Sequence, residues 1–200
     1  MIVKFCGMRR EEDIKAVNEI RPDLIGFILD PSRKRYVSPE VISSLRKGLG
    51  PDIKTVGVFV NEDISVVLKL LEDGIIDIAQ LHGNESDDYI DEVRNRTGAT
   101  VIKAFGIRNE SDIDKVERSH AEIVIVDSPG GGTGSSFDWT LLNRIKRPYI
   151  LAGGLNADNI EEAVETLDPY GVDVSSGIET DGFKDIDKMR AFMALIKKGQ

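Results

Sequence analysis

The sequence contains one cysteine and two histidines in 200 residues. A single cysteine excludes an intramolecular disulfide, and residues so few and so far apart give no recognisable spacing of transition-metal ligands. No apolar run approaches the ~20 residues of a membrane span, and the N-terminus lacks the apolar core of a secretion signal. We therefore expect a cytoplasmic protein that neither binds a metal nor enters a membrane.

Positive charge is also scarce, because 26 Lys and Arg stand against 35 Asp and Glu, for a formal net charge of -9. A nucleic-acid-binding surface needs a basic stripe, so this balance argues against a nucleic-acid partner. A small anionic ligand is not excluded, since a few local hydrogen-bond donors can overcome a modest overall field.

The composition is that of a globular protein. Hydrophobic residues make up 40% of the chain and charged residues 30%, without a low-complexity tract. A chain of 200 residues can form one sizeable core or two small ones, and no linker divides it. We expect a single domain over residues 1–200.

Short β-rich apolar runs recur along the chain, and an amphipathic stretch follows each of them. Eight runs in 200 residues repeat about every 25 residues, roughly the length of a strand, a helix and two short loops. The runs lie at 2–6, 24–29, 55–60, 76–81, 100–105, 123–127, 149–152 and 172–175. Helix-period apolar faces are clearest at 11–20, 62–73 and 156–167.

Strands that alternate with helices predict a parallel sheet, and eight such units predict a closed α/β barrel, the (βα)8 TIM barrel. The alternative is a doubly wound open sheet. That fold usually has fewer strands at this length, and its dinucleotide fingerprint is missing after the first run. Asn61, Ser86 and Ser111 occupy positions expected for helix N-caps.

Alternation along each strand predicts which side chains face the barrel interior. Several of these are polar, where a barrel filled only for stability would have branched apolar residues. Two long segments, 30–38 and 128–137, also follow strands and so lie at the C-terminal face, where this fold builds its active sites. The inward polar residues are Lys4, Cys6, Gln80, His82, Asp127, Asp173 and Ser175.

Cys6 and Asp127 end the first and sixth predicted strands, on opposing sides of the barrel mouth. A base and an acid placed there could act on two ends of one substrate. Cys6 is either a thiolate base or a small buried apolar side chain. Lys4 either lowers the pKa of this thiol or pairs with an acidic neighbour, and Asp127 is either an acid or the cap of a loop.

Three segments could bind anionic groups. Small residues at 152–156 and 175–177 would let backbone N–H groups approach a phosphate, although tight packing of strand and loop would also favour them. The basic cluster at 33–35 is either solvated or a clamp for a carboxylate. The glycine-rich segment 130–134 lacks the ending of a P-loop and predicts a flexible connection with a lid role.

These motifs resemble those of one family, the phosphoribosylanthranilate isomerases of tryptophan biosynthesis. The segment KFCGM at 4–8 is similar to the family's N-terminal signature. Any single further match is weak, but six in the family's order are highly specific, and together they span nearly the whole chain. They are SRKRYVS at 32–38, VGVFVN at 56–61, QLHG at 80–83, GTGSSFDW at 132–139, GGLN at 153–156 and VDVSSGIE at 172–179.

The resemblance implies an enzyme that isomerises N-(5-phosphoribosyl)anthranilate by an Amadori rearrangement without a cofactor. By position, Asp127 matches the general acid that opens the furanose, and Cys6 matches the general base that removes the proton from C2. Arg35 matches the residue that holds the anthranilate carboxylate. The phosphate-binding loops correspond to Gly153, Gly154, Ser175, Ser176 and Gly177, and supporting positions to His82 and Asp173.

The chain departs from the pattern at Ala152, where we expect serine in many relatives, so backbone donors must suffice there. The alternatives are another phosphosugar barrel and a non-catalytic phosphosugar-binding module. A histidine-pathway isomerase is expected to have Asp in place of Cys6, and a pentose-phosphate epimerase would bring metal-binding histidines and acids. We expect a monomer or a homodimer.

Overall fold

The structure, a computed structural model, describes residues 1–127 and 139–198. Eight parallel strands form one closed barrel in chain order, so the predicted TIM barrel is confirmed and the open sheet is wrong. The predicted runs match the strands apart from small shifts at their ends. The strands are β1 (Ile2–Cys6), β2 (Leu24–Ile28), β3 (Lys54–Phe59), β4 (Ile78–Leu81), β5 (Val101–Gly106), β6 (Ile123–Asp127), β7 (Tyr149–Ala152) and β8 (Gly171–Val174).

Helices surround this barrel, and none of those within the described ranges is long and apolar enough to cross a membrane. A 3₁₀ helix, Trp139–Arg144, precedes β7, and a short hairpin of β9 (Glu179–Thr180) and β10 (Phe183–Lys184) follows β8. The segment 130–134 lies outside the described residues. The α-helices are α1 (Glu11–Ile20), α2 (Pro39–Arg46), α3 (Ile64–Glu72), α4 (Asp87–Thr97), α5 (Glu110–Arg118), α6 (Ile160–Leu167) and α7 (Ile186–Lys198).

One of the three predicted helix caps is confirmed. Ser86 caps α4 with its side chain, but Asp63 caps α3 and Asn109 caps α5, so the predictions for Asn61 and Ser111 are wrong. Asp63 and Asn109 each accept the backbone N–H two positions further along, and Ser86 accepts the one three positions along. Each contact satisfies one of the donors that a helix start leaves open. Asn61 has another use, because its side chain accepts a hydrogen bond from the loop after β4.

Two apolar cores result from the alternation of side chains along the strands. Outward side chains pack against the helices, as where Phe5 meets Phe192 edge to face with ring centroids 6.2 Å apart. Inward side chains fill the barrel itself, and burial on both faces explains why the strands read as continuous apolar runs. The barrel interior holds Leu24, Val56, Ile102, Ala104, Ile125, Ile150 and Ala152.

The strand register stacks the inward residues in layers, each built from alternate strands. The layer at the C-terminal mouth contains Ile28, His82, Asp127 and Ser175. The layer beneath it contains Cys6, Val58, Ala104 and Ala152. A third layer contains Gly26, Gln80, Ile125 and Asp173, and Lys4 lies one layer deeper. Polar groups are therefore concentrated toward the mouth of the barrel.

Candidate active site

A cavity of about 250 Å³ opens at the C-terminal mouth of the barrel. A larger groove, of about 1020 Å³, lies at the opposite end against Met1 and Tyr170, but parallel barrels place their chemistry at the C-terminal face. The smaller cavity brings together nearly all the predicted site residues. They are Cys6, Arg35, His82, Asp127, Gly153, Gly154, Asp173, Ser175 and Ser176, with Ala152 beside them.

Gly177 is the predicted site residue that does not line this cavity. It lies in the turn after β8, against the carbonyl oxygen of Leu155, where a Cβ atom would collide with the backbone. The structure therefore gives Gly177 a packing role between the loops that follow β7 and β8, and its contact with a phosphate stays a prediction.

Cys6 is held in place from two sides. Its carbonyl oxygen accepts a hydrogen bond from Ser175 Oγ at 3.0 Å, which ties the end of β1 to the end of β8. On the other side stands Gly26 of β2, where an added Cβ would lie 2.7 Å from the Cys6 sulfur. Because glycine leaves that space open, the thiol can lie inside the barrel wall, where the residue is 7% exposed.

Burial raises the pKa of the Cys6 thiol, although the nearby ammonium groups of Lys4 and Lys184 act to lower it. The carboxylate of Asp173 adds to the rise. The predicted influence of Lys4 is thus present, but desolvation outweighs it, so the thiol pKa ends above its ordinary value. The Cys6 thiol therefore ionises less readily than an ordinary cysteine does.

Lys4 and Asp173 form an ion pair below the thiol, with Nζ and Oδ1 3.0 Å apart. Burial alone would lower the pKa of the fully buried Lys4, but its attraction to Asp173 and Cys6 raises that pKa overall. Lys4 accordingly keeps its charge inside the barrel. Asp173, predicted as a supporting residue, is the partner that makes this buried charge tolerable.

Asp127 and His82 face each other at the mouth, with Oδ2 and Nε2 3.7 Å apart. Both side chains are partly exposed, so a ligand in the cavity can reach them. His82 Nδ1 accepts a hydrogen bond from Gln80 Nε2 at 3.4 Å, which leaves the hydrogen of a neutral imidazole on Nε2, toward Asp127.

Arg35 lies within an ionic cluster that the sequence did not predict. Its guanidinium donates from Nε and Nη2 to the two carboxylate oxygens of Glu179, at 2.8 and 2.6 Å. Glu179 Oε1 also accepts from Lys184 Nζ at 2.7 Å. The side-chain hydrogen bonds that Arg35 donates to Glu179 raise the pKa of Arg35, and burial lowers the pKa of Lys184. Nη1 of Arg35 makes none of these bonds and can meet a second carboxylate.

Lys184 is the functional candidate that sequence reasoning missed. Its ammonium also donates to the carbonyl oxygen of Ser175 at 2.8 Å, which places positive charge beside the loop after β8. The residue is 8% exposed, and buried lysines are rare unless paired. Glu179 ended one of the segments that resembled the family, but no local pattern marked Lys184.

The Glu179 carboxylate should orient Arg35 for ligand binding. We expect Glu179→Gln to raise KM for the natural substrate about tenfold with little change in kcat, because one charge-assisted hydrogen bond in the pair is lost. Steady-state kinetics will measure the effect. Glu19→Gln is the matched control, since Glu19 binds Arg190 at the surface. Equal KM values for the two variants would remove Glu179 from this role.

The part of the chain that the structure describes contains no group of three His, Cys, Asp or Glu side chains able to hold a metal ion. The cavity instead offers two sets of anion donors beside Cys6 and Asp127. One is Arg35, and the other is formed by the backbone turns after β7 and β8, where Gly153 and Gly154 have φ of 92° and 65°. This arrangement suits a ligand with an anionic group at each end.

Comparison with known proteins gives a consistent result. The family model for N-(5'-phosphoribosyl)anthranilate isomerase matches residues 3–194. The isomerase of Thermoanaerobacter pseudethanolicus is 43% identical, covering 98% of this chain and 97% of its own, and that of Clostridium acetobutylicum is 44% identical, covering 98% of each. The crystal structure of the Thermotoga maritima enzyme aligns with a TM-score of 0.89 at 34% identity, covering 99% of this chain and all of its own.

The match spans the whole barrel and includes both loops that form the cavity. A similarity of fold alone would not extend to these loops, since the barrel architecture supports many chemistries. The other phosphosugar barrels considered above are thereby excluded. The chain belongs to the N-(5'-phosphoribosyl)anthranilate isomerase family and is an isomerase of tryptophan biosynthesis.

Proposed function

We propose that N-(5'-phosphoribosyl)anthranilate is isomerised in the cavity at the C-terminal mouth, with Asp127 as the acid and Cys6 as the base. The observation that carries this assignment is their placement: they line one cavity from β6 and β1, on opposing sides of the barrel. A substrate held between them would present its ring oxygen to one and its C2 hydrogen to the other.

The first step is ring opening. Asp127 gives its proton to the furanose oxygen while the C1–O bond breaks, and the nitrogen lone pair forms a C1=N bond. The product is a protonated Schiff base with a free C4 hydroxyl. Asp127 leaves this step as a carboxylate, which the Nε2–H of His82 faces and stabilises.

The second step is proton abstraction. The Cys6 thiolate takes the hydrogen from C2, and the bonding pair forms C1=C2 as the positive charge on nitrogen is neutralised. The resulting enolamine becomes the ketone when C1 gains a proton and the C2 hydroxyl loses one. C1 is reduced and C2 oxidised within one molecule, so the reaction balances without an external oxidant or reductant.

Binding groups at both ends support this orientation. We assign the anthranilate carboxylate to Arg35, and the phosphate to the backbone around Gly153 and Gly154 together with Ser175 and Ser176. One solved structure of the family is a complex with reduced 1-(o-carboxyphenylamino)-1-deoxyribulose 5-phosphate, whose carboxylate and phosphate lie at opposite ends of the molecule.

Nearby cations limit the rise that burial causes in the pKa of Cys6. Lys4 and Lys184 act directly on the thiol pKa, and Arg35 interacts with the same group. A minor population of thiolate suffices for proton abstraction if the base is already oriented, since cysteine thiolates are intrinsically reactive.

We further propose a cytoplasmic, single-domain enzyme over residues 1–200 that acts as a monomer or homodimer without a nucleic-acid partner. The Thermotoga maritima isomerase is described as dimeric, and variants of it as monomers. Light scattering on the purified chain across a range of concentrations distinguishes the two states.

Turnover of wild-type protein with N-(5'-phosphoribosyl)anthranilate tests the proposed function. Substrate carrying deuterium at C2 should react more slowly than unlabelled substrate under saturating conditions where chemistry limits the rate, because Cys6 must break the C2–H bond. Absence of turnover would overturn the proposal, and equal rates for labelled and unlabelled substrate under those conditions would count against abstraction of the C2 hydrogen by the base.

A further inference from the structure

Gln80 carries a polar atom to which none of the described residues donates a hydrogen bond. It lies on β4, faces the barrel interior, and is 1% exposed, yet it contributes to the lining of the active-site cavity. In the part of the chain that the structure describes, its Oε1 is the one buried side-chain nitrogen or oxygen without a hydrogen-bond partner. Leaving such an atom unpaired destabilises the folded protein, so its position calls for an explanation.

In the structure Gln80 Nε2 faces His82 Nδ1 at 3.4 Å, so Oε1 lies on the other side of the amide plane. The neighbouring polar residue in the same layer is Asp173, which offers no donor and is engaged by Lys4 at 3.0 Å. In this arrangement the Gln80 oxygen is a hydrogen-bond acceptor without a donor among the described residues.

Its place relative to Cys6 identifies the kind of donor. The Gln80 layer lies directly beneath the Cys6 layer, so this amide lies below the region where the base meets C2. The groups of a phosphoribosyl chain that can donate a hydrogen bond there are its hydroxyls. Arg35 and the loops after β7 and β8 are assigned to the two anionic ends of the substrate. The middle of its sugar chain is then left to the residues of the Gln80 layer.

We infer that Gln80 Oε1 accepts a hydrogen bond from a hydroxyl of the opened sugar chain, next to the carbon that Cys6 deprotonates. Gln80 thereby selects polyhydroxylated substrates and turns C2 toward the thiol. The inference rests on the proposed function, because it uses the same substrate and orientation. A neutral amide suits the layer beneath Cys6, since a second carboxylate near Asp173 would raise the pKa of the Cys6 thiol further.

Two ligands separate this role from a structural one. The first is the reduced product, an anthranilate joined to a pentitol 5-phosphate, and the second is N-(5-phosphonooxypentyl)anthranilate, which has the same charges and length but no hydroxyls. For Gln80→Met we expect the reduced product to bind about tenfold more weakly by calorimetry, and the hydroxyl-free ligand to bind within about twofold of wild type.

The thermal stability of the ligand-free protein provides a second measurement, in which Gln80→Met should not lose what it loses in binding. Exchanging an unsatisfied buried amide for an apolar side chain of similar length should leave the thermal midpoint of Gln80→Met unchanged or raised. Ile78→Met, on the same strand and also facing the interior, is the matched control and should bind both ligands as wild type does. Gln80→Glu keeps an acceptor oxygen but loses the donor to His82, so it should retain the preference for the hydroxylated ligand.

Equal loss of affinity for both ligands in Gln80→Met would overturn the inference and assign the oxygen to a structural water or to the support of His82. Loss of the preference in Gln80→Glu would overturn it as well. These binding measurements need no turnover. They can therefore overturn the role of Gln80 while the wild type still converts N-(5'-phosphoribosyl)anthranilate, and an inactive wild type would overturn the proposed function without deciding the role of Gln80.

Discussion

Replacing Cys6 by serine is expected to lower kcat by at least ~100-fold, with the affinity for the reduced product unchanged within about threefold. A serine hydroxyl is far less acidic than a thiol and cannot supply an anion at neutral pH, while its size preserves the packing against Gly26. Pre-steady-state and steady-state turnover, compared with calorimetric binding of the reduced product, separate chemistry from binding.

The pH dependence gives an independent check of the same residue. Burial raises the pKa of Cys6, so the thiol is not yet fully ionised at neutral pH. The thiolate fraction therefore still grows as pH rises, and kcat/KM of the wild type should increase across the neutral range. In Cys6→Ser this rise should vanish from the residual rate. Full turnover by the serine variant, or an unchanged rising limb, would show that another group removes the proton.

Asp127→Asn should reduce kcat by a similar factor, at least ~100-fold, because an amide cannot give a proton to the ring oxygen. Asparagine has the same shape and can still contact His82, so the cavity and its ligand affinity should remain. Asp187→Asn is the matched control, since Asp187 is a highly exposed residue of α7 and bonds to Arg190. Its turnover should equal that of the wild type.

The pair can also be tested together. An acid and a base that serve one reaction sequence act as a unit, so the double variant should be little slower than the slower single variant. If the rate loss of the double variant equals the product of the two single losses, Asp127 and Cys6 act independently. Normal turnover by Asp127→Asn alone would assign ring opening to another donor at the mouth.

Local patterns along the chain were enough to predict the barrel. Each strand is buried on both faces, so its apolar run stands out, and the amphipathic helices between runs force parallel pairing. Strand alternation then placed Cys6 and Asp127 inside, and parallel pairing placed both at the same end. The misplaced caps at Asn61 and Ser111 show the limit, since several polar residues near a helix start can serve and local geometry selects among them.

The electrostatics of the site followed from contacts distant in sequence. Lys4 meets Asp173 across 169 positions, and Arg35 meets Glu179 across 144. Closing a barrel brings the first and last strands, and the loops beside them, together. Charges on these segments then shift one another's pKa in ways that no local pattern encodes. Alternation along one strand could place the Cys6 thiol inside the barrel. Whether that thiol ionises depends on partners that reach it only after the barrel has closed.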